Sequence, residues 1–279
     1  MTSLTARRVD LSPGRVTQIS VLHSEWIKLR SLRSTLWTLL ATVAITVGLG
    51  SLFSVARAHR FNELVTTAPN GVRLAPRFDP TVVSLRGVFL AQLAIGVLGV
   101  LMIAGEYGTG MIRSSLAAVP QRVPVLAAKA IVFATAAFVV SIVSAFAAFL
   151  LGQQALSSTH FQASLGTPHA IRAIFGAAIY LTLIGLMAVG LGFVLRNTAA
   201  AIASLFGVVL VAPLLANALP TPYSTDISKY LPLNAGTQIL QTKDYDPSQL
   251  HPWAGVGVTA LYAIVALIAG TIVLLRRDA

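Results

Sequence analysis

The sequence contains no cysteine. Disulfides, thiolate metal sites, iron–sulfur clusters and cysteine nucleophiles are thereby excluded, and the redox character of the compartment leaves no trace. Charge is scarce too: 10% of the residues are Asp, Glu, Lys or Arg, against 56% hydrophobic. So little polar surface cannot clothe a soluble globule, and the expected solvent is largely lipid. Acidic residues are rarest, nine against twenty basic, which gives a formal net charge of +11. A nucleic-acid binder gathers such an excess on one folded soluble face. Here most Lys and Arg stand between long apolar runs, a placement that suits anionic headgroups and topology control and points away from nucleic acid.

Several catalytic signatures are also missing. GxxxxGK[ST] does not occur, and Gly105, Gly108 and Gly110 lack the following Lys and hydroxyl that hold phosphate and Mg²⁺. HExxH and GxSxG are absent, and the five histidines (His23, His59, His160, His169, His251) have no metal-ligand spacing. Neither a cofactor nor a metal is expected in this chain, and it is read as non-catalytic. No small-residue cleavage site follows the first apolar run, so that run is expected to persist as an anchor.

What is present are apolar stretches of membrane length. A bilayer core about 30 Å thick needs roughly 20 apolar helical residues, because unpaired backbone groups in lipid cost several kcal/mol each. Six stretches qualify: Leu36 to Val55, Val82 to Gly105, Ala130 to Gly152, Ala173 to Leu195, Thr198 to Leu219 and Trp253 to Leu275. None alternates like a strand, so an all-α bundle is expected rather than a barrel. Residues 1–34 read as a cytoplasmic N-terminal segment and residues 35–279 as one six-helix membrane domain.

Basic residues set the expected orientation. Arg7, Arg8, Arg15, Lys28, Arg30 and Arg33 precede the first span, Arg276 and Arg277 follow the last, Arg113, Arg122 and Lys129 lie around the second connection, and Arg196 marks the very short fourth. Both termini and these two connections are placed inside. Arg57, Arg60, Arg73, Arg77 and Arg86 fall outside and run against the rule, yet the inner side still holds twelve of the twenty basic residues. Arg86 and Arg172 lie close enough to outer ends, and Lys129 to an inner end, to reach the headgroups by snorkelling. Alternatively Arg86, with Arg73 and Arg77, attracts an anionic part of a substrate or lipid. The stretch Lys229 to Gln241 mixes apolar residues with Pro and Gly and reads as a partly embedded outer cap.

Two inner segments carry functional candidates. From Val16 to Arg33, Ile19, Leu22, Trp26 and Leu29 form one helical stripe, while Ser24, Glu25 and Lys28 lie away from it. This is the pattern of an amphipathic helix in the interface, with Trp26 and Trp37 as headgroup anchors and Arg30 at the stripe's edge. Between the second and third spans, glycines end the span after Glu106, a short helix presents Ile112, Leu116 and Val119, and Pro120 stops it. A helix held so at the inner face is a natural docking knob for a soluble partner.

The motifs SEWIKLRSLRSTLW (Ser24–Trp37), EYGTGMIRSSLAAVPQR (Glu106–Arg122) with Lys129 after it, and YLPLNAG (Tyr230–Gly236) resemble the ABC type 2 transporter permease family. The similarity extends over most of the chain, including the number and spacing of helices, and departs where Gly110 is followed by Met111. The resemblance implies that the N-terminal stretch with Glu25, Trp26, Lys28, Arg30 and Arg33 is an elbow helix. It implies that Glu106, Gly110, Ile112, Arg113, Leu116, Pro120 and Arg122 belong to a coupling helix that docks on a separate ATPase. Two ATPase copies would carry ATP and Mg²⁺, a second permease chain, expected to be identical, would pair with this one, and the assembly would sit in a bacterial plasma membrane. The implied function is ATP-driven export of a hydrophobic or amphipathic molecule: a drug, antibiotic, lipid or peptide. Rival readings are an ion-coupled secondary transporter, which would want an ionisable relay, and an intramembrane enzyme, which would want paired catalytic groups at membrane depth.

Overall fold

The computed structural model describes residues 18–31, 33–67, 79–112, 122–159, 162–242 and 246–276. Among them every regular element is helical. We number the helices α1 (Gln18–Ser31), α2 (Arg33–Thr67), α3 (Pro80–Ser84), α4 (Val88–Thr109), α5 (Arg122–Leu156), α6 (Ala170–Leu195), α7 (Thr198–Asn217), α8 (Tyr223–Ser228), α9 (Pro232–Thr237) and α10 (Pro252–Arg276). Six are long and apolar enough to cross a membrane: α2 over Arg33–Arg60, α4, α5, α6, α7 and α10. This is the architecture of a multi-pass membrane protein.

The central element is α6, rich in small residues, which packs against α10, α4 and α5; α2 in turn packs on α5 and α4. Rings and branched side chains fill the interior: Phe133, Phe149, Phe193, Leu85, Ile95, Ile103 and Ile174 are all fully buried there. Large apolar side chains such as Leu150, Leu214, Leu261 and Ile268 point outward, as a lipid-facing surface requires.

Helix ends depart from the apolar runs for local reasons. The second span is broken at its start: Asp79 caps α3 by accepting from the N–H groups of Thr81 (3.0 Å) and Val82 (3.2 Å), and a turn at residues 85–87 precedes α4. Apolarity alone predicts one unbroken helix from Val82. At 35 residues α5 spans about 52 Å, so it outruns the bilayer core and takes in Arg122 and Lys129. A two-residue connection, Arg196–Asn197, joins α6 to α7, with Arg196 closing α6 at φ 53° and Asn197 capping α7 through Ala200 N–H at 2.9 Å. Within α7, residues Gly207–Val211 form a π-helical turn just before Pro213.

The stretch Lys229–Gln241 holds α9 and a 3₁₀ turn at Gln238–Leu240, preceded by the short helix α8, with Pro232, Ala235, Gly236, Ile239 and Leu240 buried. Gly236 sits so close to the Tyr180 ring that a Cβ would lie 2.3 Å from a ring carbon. Here the backbone itself is the packing surface, and Gly is required. Beneath α9, the Tyr180 hydroxyl donates to Gln92 Oε1, pairing two fully buried polar groups of α6 and α4.

Candidate functional site

At one end of the bundle α1, α4 and α5 meet around four charged side chains. Lys129, on α5, has no solvent exposure, and its ammonium donates to Glu25 Oε2 at 2.7 Å and to Glu106 Oε1 at 2.6 Å. Lys28, one turn after Glu25 on α1, reaches Glu25 Oε1 at 2.9 Å and lies 3.8 Å from Glu106 Oε1. Two ammonium and two carboxylate groups thus neutralise one another inside the junction. Lys129 and Glu25, the two deeply buried members, persist as charges only with such pairing, because a lone buried ion carries a penalty of several kcal/mol, while the Lys28 side chain is one-third exposed. Glu106 Oε2 is buried without a hydrogen-bond partner among the described residues.

Each member is positioned by its helix. Glu25 shares the buried face of α1 with Val21 and Leu29, at i, i+4 and i+8, and this face packs on α5. Leu29 contacts Val132 and Ala136, one and two turns beyond Lys129. Glu106 lies in the last turn of α4, just before Gly110 ends the helix at φ 72°, a left-handed conformation that suits Gly. Lys129 lies about 10 Å along α5 from its first residue, toward the end of the membrane span and away from its centre.

Two sequence expectations are corrected here. Glu25, which the helical pattern sets off the apolar stripe, is not at the surface: it is 2% exposed. Its partner Lys129 is 104 positions away, so the pattern of α1 alone does not show this burial. Lys129 likewise does not snorkel, because it finds two carboxylates inside the protein.

Other basic residues close the same end. Arg122 Nη1 donates to the carbonyl of Leu274 at 2.7 Å, and Arg196 Nη2 to that of Val273 at 3.2 Å. Both carbonyls are in the last turns of α10, where orphaned acceptors and the negative end of the helix dipole favour cations. The Arg196 guanidinium also lies 5.0 Å from the Tyr107 ring centroid, a cation–π contact next to Glu106. Helices α1, α4, α5, α6 and α10 are therefore linked by charge at this one end.

Of the remaining candidates, Ile112 is buried, Arg30 and Arg33 are exposed, and Gly110 ends α4. Arg113, Leu116 and Pro120 lie outside the described residues, as do Arg73 and Arg77. Arg86 is exposed, its guanidinium 5.8 Å from the Phe53 ring centroid. Arg172 donates to the Gln241 carbonyl, and Asp79, besides capping α3, accepts from Thr242 N–H at 2.6 Å. Among the described residues no group of three His, Asp or Glu is arranged to hold a metal ion. No family model matches the chain, and no curated protein does.

The Glu25–Lys129 and Lys129–Glu106 pairs were missed from the sequence. The available signal was that Glu25 and Lys129 are the charged members of otherwise apolar helical faces, a placement that asks for a partner.

Proposed function

We propose that the chain is the membrane subunit of an ATP-driven exporter, a permease of the ABC type 2 kind, with both termini in the cytoplasm. The observation that carries this reading is the junction of Glu25, Lys28, Glu106 and Lys129. It ties the N-terminal amphipathic helix to the ends of two spans, directly beside the 106–122 segment that resembles a coupling helix. The twelve inner basic residues support the orientation.

In this reading a separate ATPase pair, carrying ATP and Mg²⁺, closes against the segment after Glu106. A push there acts on α4 through the chain and on α5 and α1 through Lys129. Arg122 and Arg196 extend the same coupling to α10. A rigid, electrostatically linked end is what a small displacement needs to tilt several helices between two discrete arrangements. The cargo is hydrophobic or amphipathic, consistent with span interiors that hold few charges, and a second identical chain completes the pathway. The elbow role falls to α1, with Trp26, Arg30 and Arg33 at the headgroups.

The test is ATP hydrolysis and transport in vesicles holding the permease with its ATPase. Glu106→Gln and Arg113→Ala are expected to leave insertion intact and to uncouple hydrolysis from transport. Wild-type transport in both variants would reduce the segment to a structural turn. A second reading, an ion-coupled carrier, draws on the same buried ionisable cluster. Its prediction differs: transport would follow an imposed ion gradient with no ATPase present.

A further inference from the structure

Helix α7 changes character partway along its length. Its first part, Thr198–Phe206, packs on α4 and α6. Ala201 and Leu205 are fully buried there, and Leu205 sits so close to Gly96 that a Cβ on that glycine would lie 2.4 Å from Leu205 Cδ2. At Gly207–Val211 the ladder loosens into the π-helical turn, and Ala212 N–H donates to the Gly207 carbonyl, five residues back. The cause is local. Pro213 has no N–H to offer the Val209 carbonyl, and its ring crowds the turn before it. Gly207 adds slack, because a side chain there would meet nothing within 4 Å. Packing therefore does not call for this glycine, and its effect within the helix is backbone freedom.

Past the turn the support falls away. Among the described residues Ala212–Asn217 packs chiefly on the π turn and on α8, and α8 packs chiefly on Ala212–Asn217 in return. Leu214 and Leu215 are 70% and 63% exposed, and in this stretch Pro213 and Ala216 alone are buried. Tyr223 and Ile227 of α8 are exposed as well. The chain is held again only at Ser228, whose carbonyl accepts from Asn234 Nδ2 at 3.0 Å, on an α9 that is seated against α10 and α6. Prolines and π turns are where helices bend. A seated first part, a slack turn and a lightly supported arm are thus joined in one helix. We propose that α7 is hinged at Gly207–Pro213, so that Ala212–Ser228 swings as one arm against the bundle while Thr198–Phe206 stays seated. Leu205 keeps its place against Gly96 throughout, and the packing of α4 and α6 is undisturbed. The hinge needs only that α7 be in its bundle, and it stands or falls separately from coupling to an ATPase.

Double electron–electron resonance on the full chain in nanodiscs, with labelled chains diluted into unlabelled ones, tests the hinge, and the native lack of cysteine lets the labels be placed freely. One pair joins Leu215→Cys, beyond the turn, to Leu150→Cys on α5; the other joins Ala203→Cys, before the turn, to the same Leu150→Cys. All three sites are exposed. The Leu215 pair is expected to give a broad or two-peaked distance distribution, and the Ala203 pair a single narrow one. Gly207→Ala combined with Pro213→Ala places the best helix former at both positions. It should narrow the Leu215 pair to the width of the Ala203 pair and leave the latter unchanged. Equal widths for the two pairs in the native chain would overturn the proposal, since α7 would then be rigid or would move whole. A Leu215 width that survives the double variant would overturn it too, because the motion would then arise elsewhere. Should loss of the buried Pro213 ring keep the chain from folding, Gly207→Ala alone decides, since its methyl enters open space: a Leu215 distribution that fails to narrow counts against the hinge.

Discussion

Lys129 carries the largest consequence for a single side chain. Its ammonium is fully buried between Glu25 and Glu106, so Lys129→Ala leaves two carboxylates in a largely buried junction with only the partly exposed Lys28 to offset them, 2.9 Å from Glu25 and 3.8 Å from Glu106. Breaking a buried pair this way costs about 3–5 kcal/mol, whereas replacing all partners by neutral groups can be near neutral. We expect a clear fall in thermal stability for Lys129→Ala in detergent or nanodiscs, and substantial recovery when Glu25→Gln and Glu106→Gln are added. Equal stability of Lys129→Ala and the native chain would mean that the charges are not coupled. The Gln92–Tyr180 pair behaves alike on a smaller scale. Tyr180→Phe leaves a buried amide oxygen without its donor and should cost about 1–3 kcal/mol, and adding Gln92→Leu should return part of it. A double-mutant cycle by thermal unfolding measures this, and strict additivity would contradict it. At this scale the sequence was least legible. Glu106 stands out in the sequence as a boundary charge, but Lys129 reads like any lysine near a span end, and Glu25 reads only as lying off the apolar stripe of α1. Their partners are distant in sequence, and periodicity within one helix cannot show them.

At the scale of elements, apolar length marked all six membrane-length helices, because backbone satisfaction in lipid leaves the chain little choice. Their ends were less visible, since caps override composition: Asp79 and the turn at residues 85–87 split the second span, and charged residues extend α5 past its apolar run. The Pro and Gly of the 229–241 stretch set it apart from a plain span, but its seat against Tyr180 was not legible. Gly236→Val is expected to unseat α9, because its Cβ alone would overlap the ring. The sign is faster proteolysis or hydrogen exchange over residues 228–242, with the α4–α5–α1 junction unaffected. At the other end, Arg122→Ala and Arg196→Ala each remove a donor from the last carbonyls of α10. Fraying of the α10 terminus, read by hydrogen exchange, should be greater in the double variant than in either single one, and unchanged protection would show that water replaces both donors.

For the whole molecule, orientation is the part that charge counting supports least evenly, since eight basic residues fall on the outer side by that count. The native lack of cysteine makes the test clean. Single cysteines at Ser12, Ser114 and Asp278 should be shielded from an impermeant thiol reagent in intact cells, while those at Asn70, Ser158 and Ser248 should react. Reaction of Asn70 only after permeabilisation would invert the topology. The central claim, that this is the ATPase-coupled half of an exporter, is tested most directly by purifying the full chain from its native membrane in mild detergent and measuring ATP hydrolysis by what accompanies it. The account predicts a separate P-loop protein at one copy per permease chain, with hydrolysis that drives transport after reconstitution and loses that coupling in Glu106→Gln. A chain that purifies without any nucleotide-hydrolysing partner, and transports on an ion gradient alone, would contradict it.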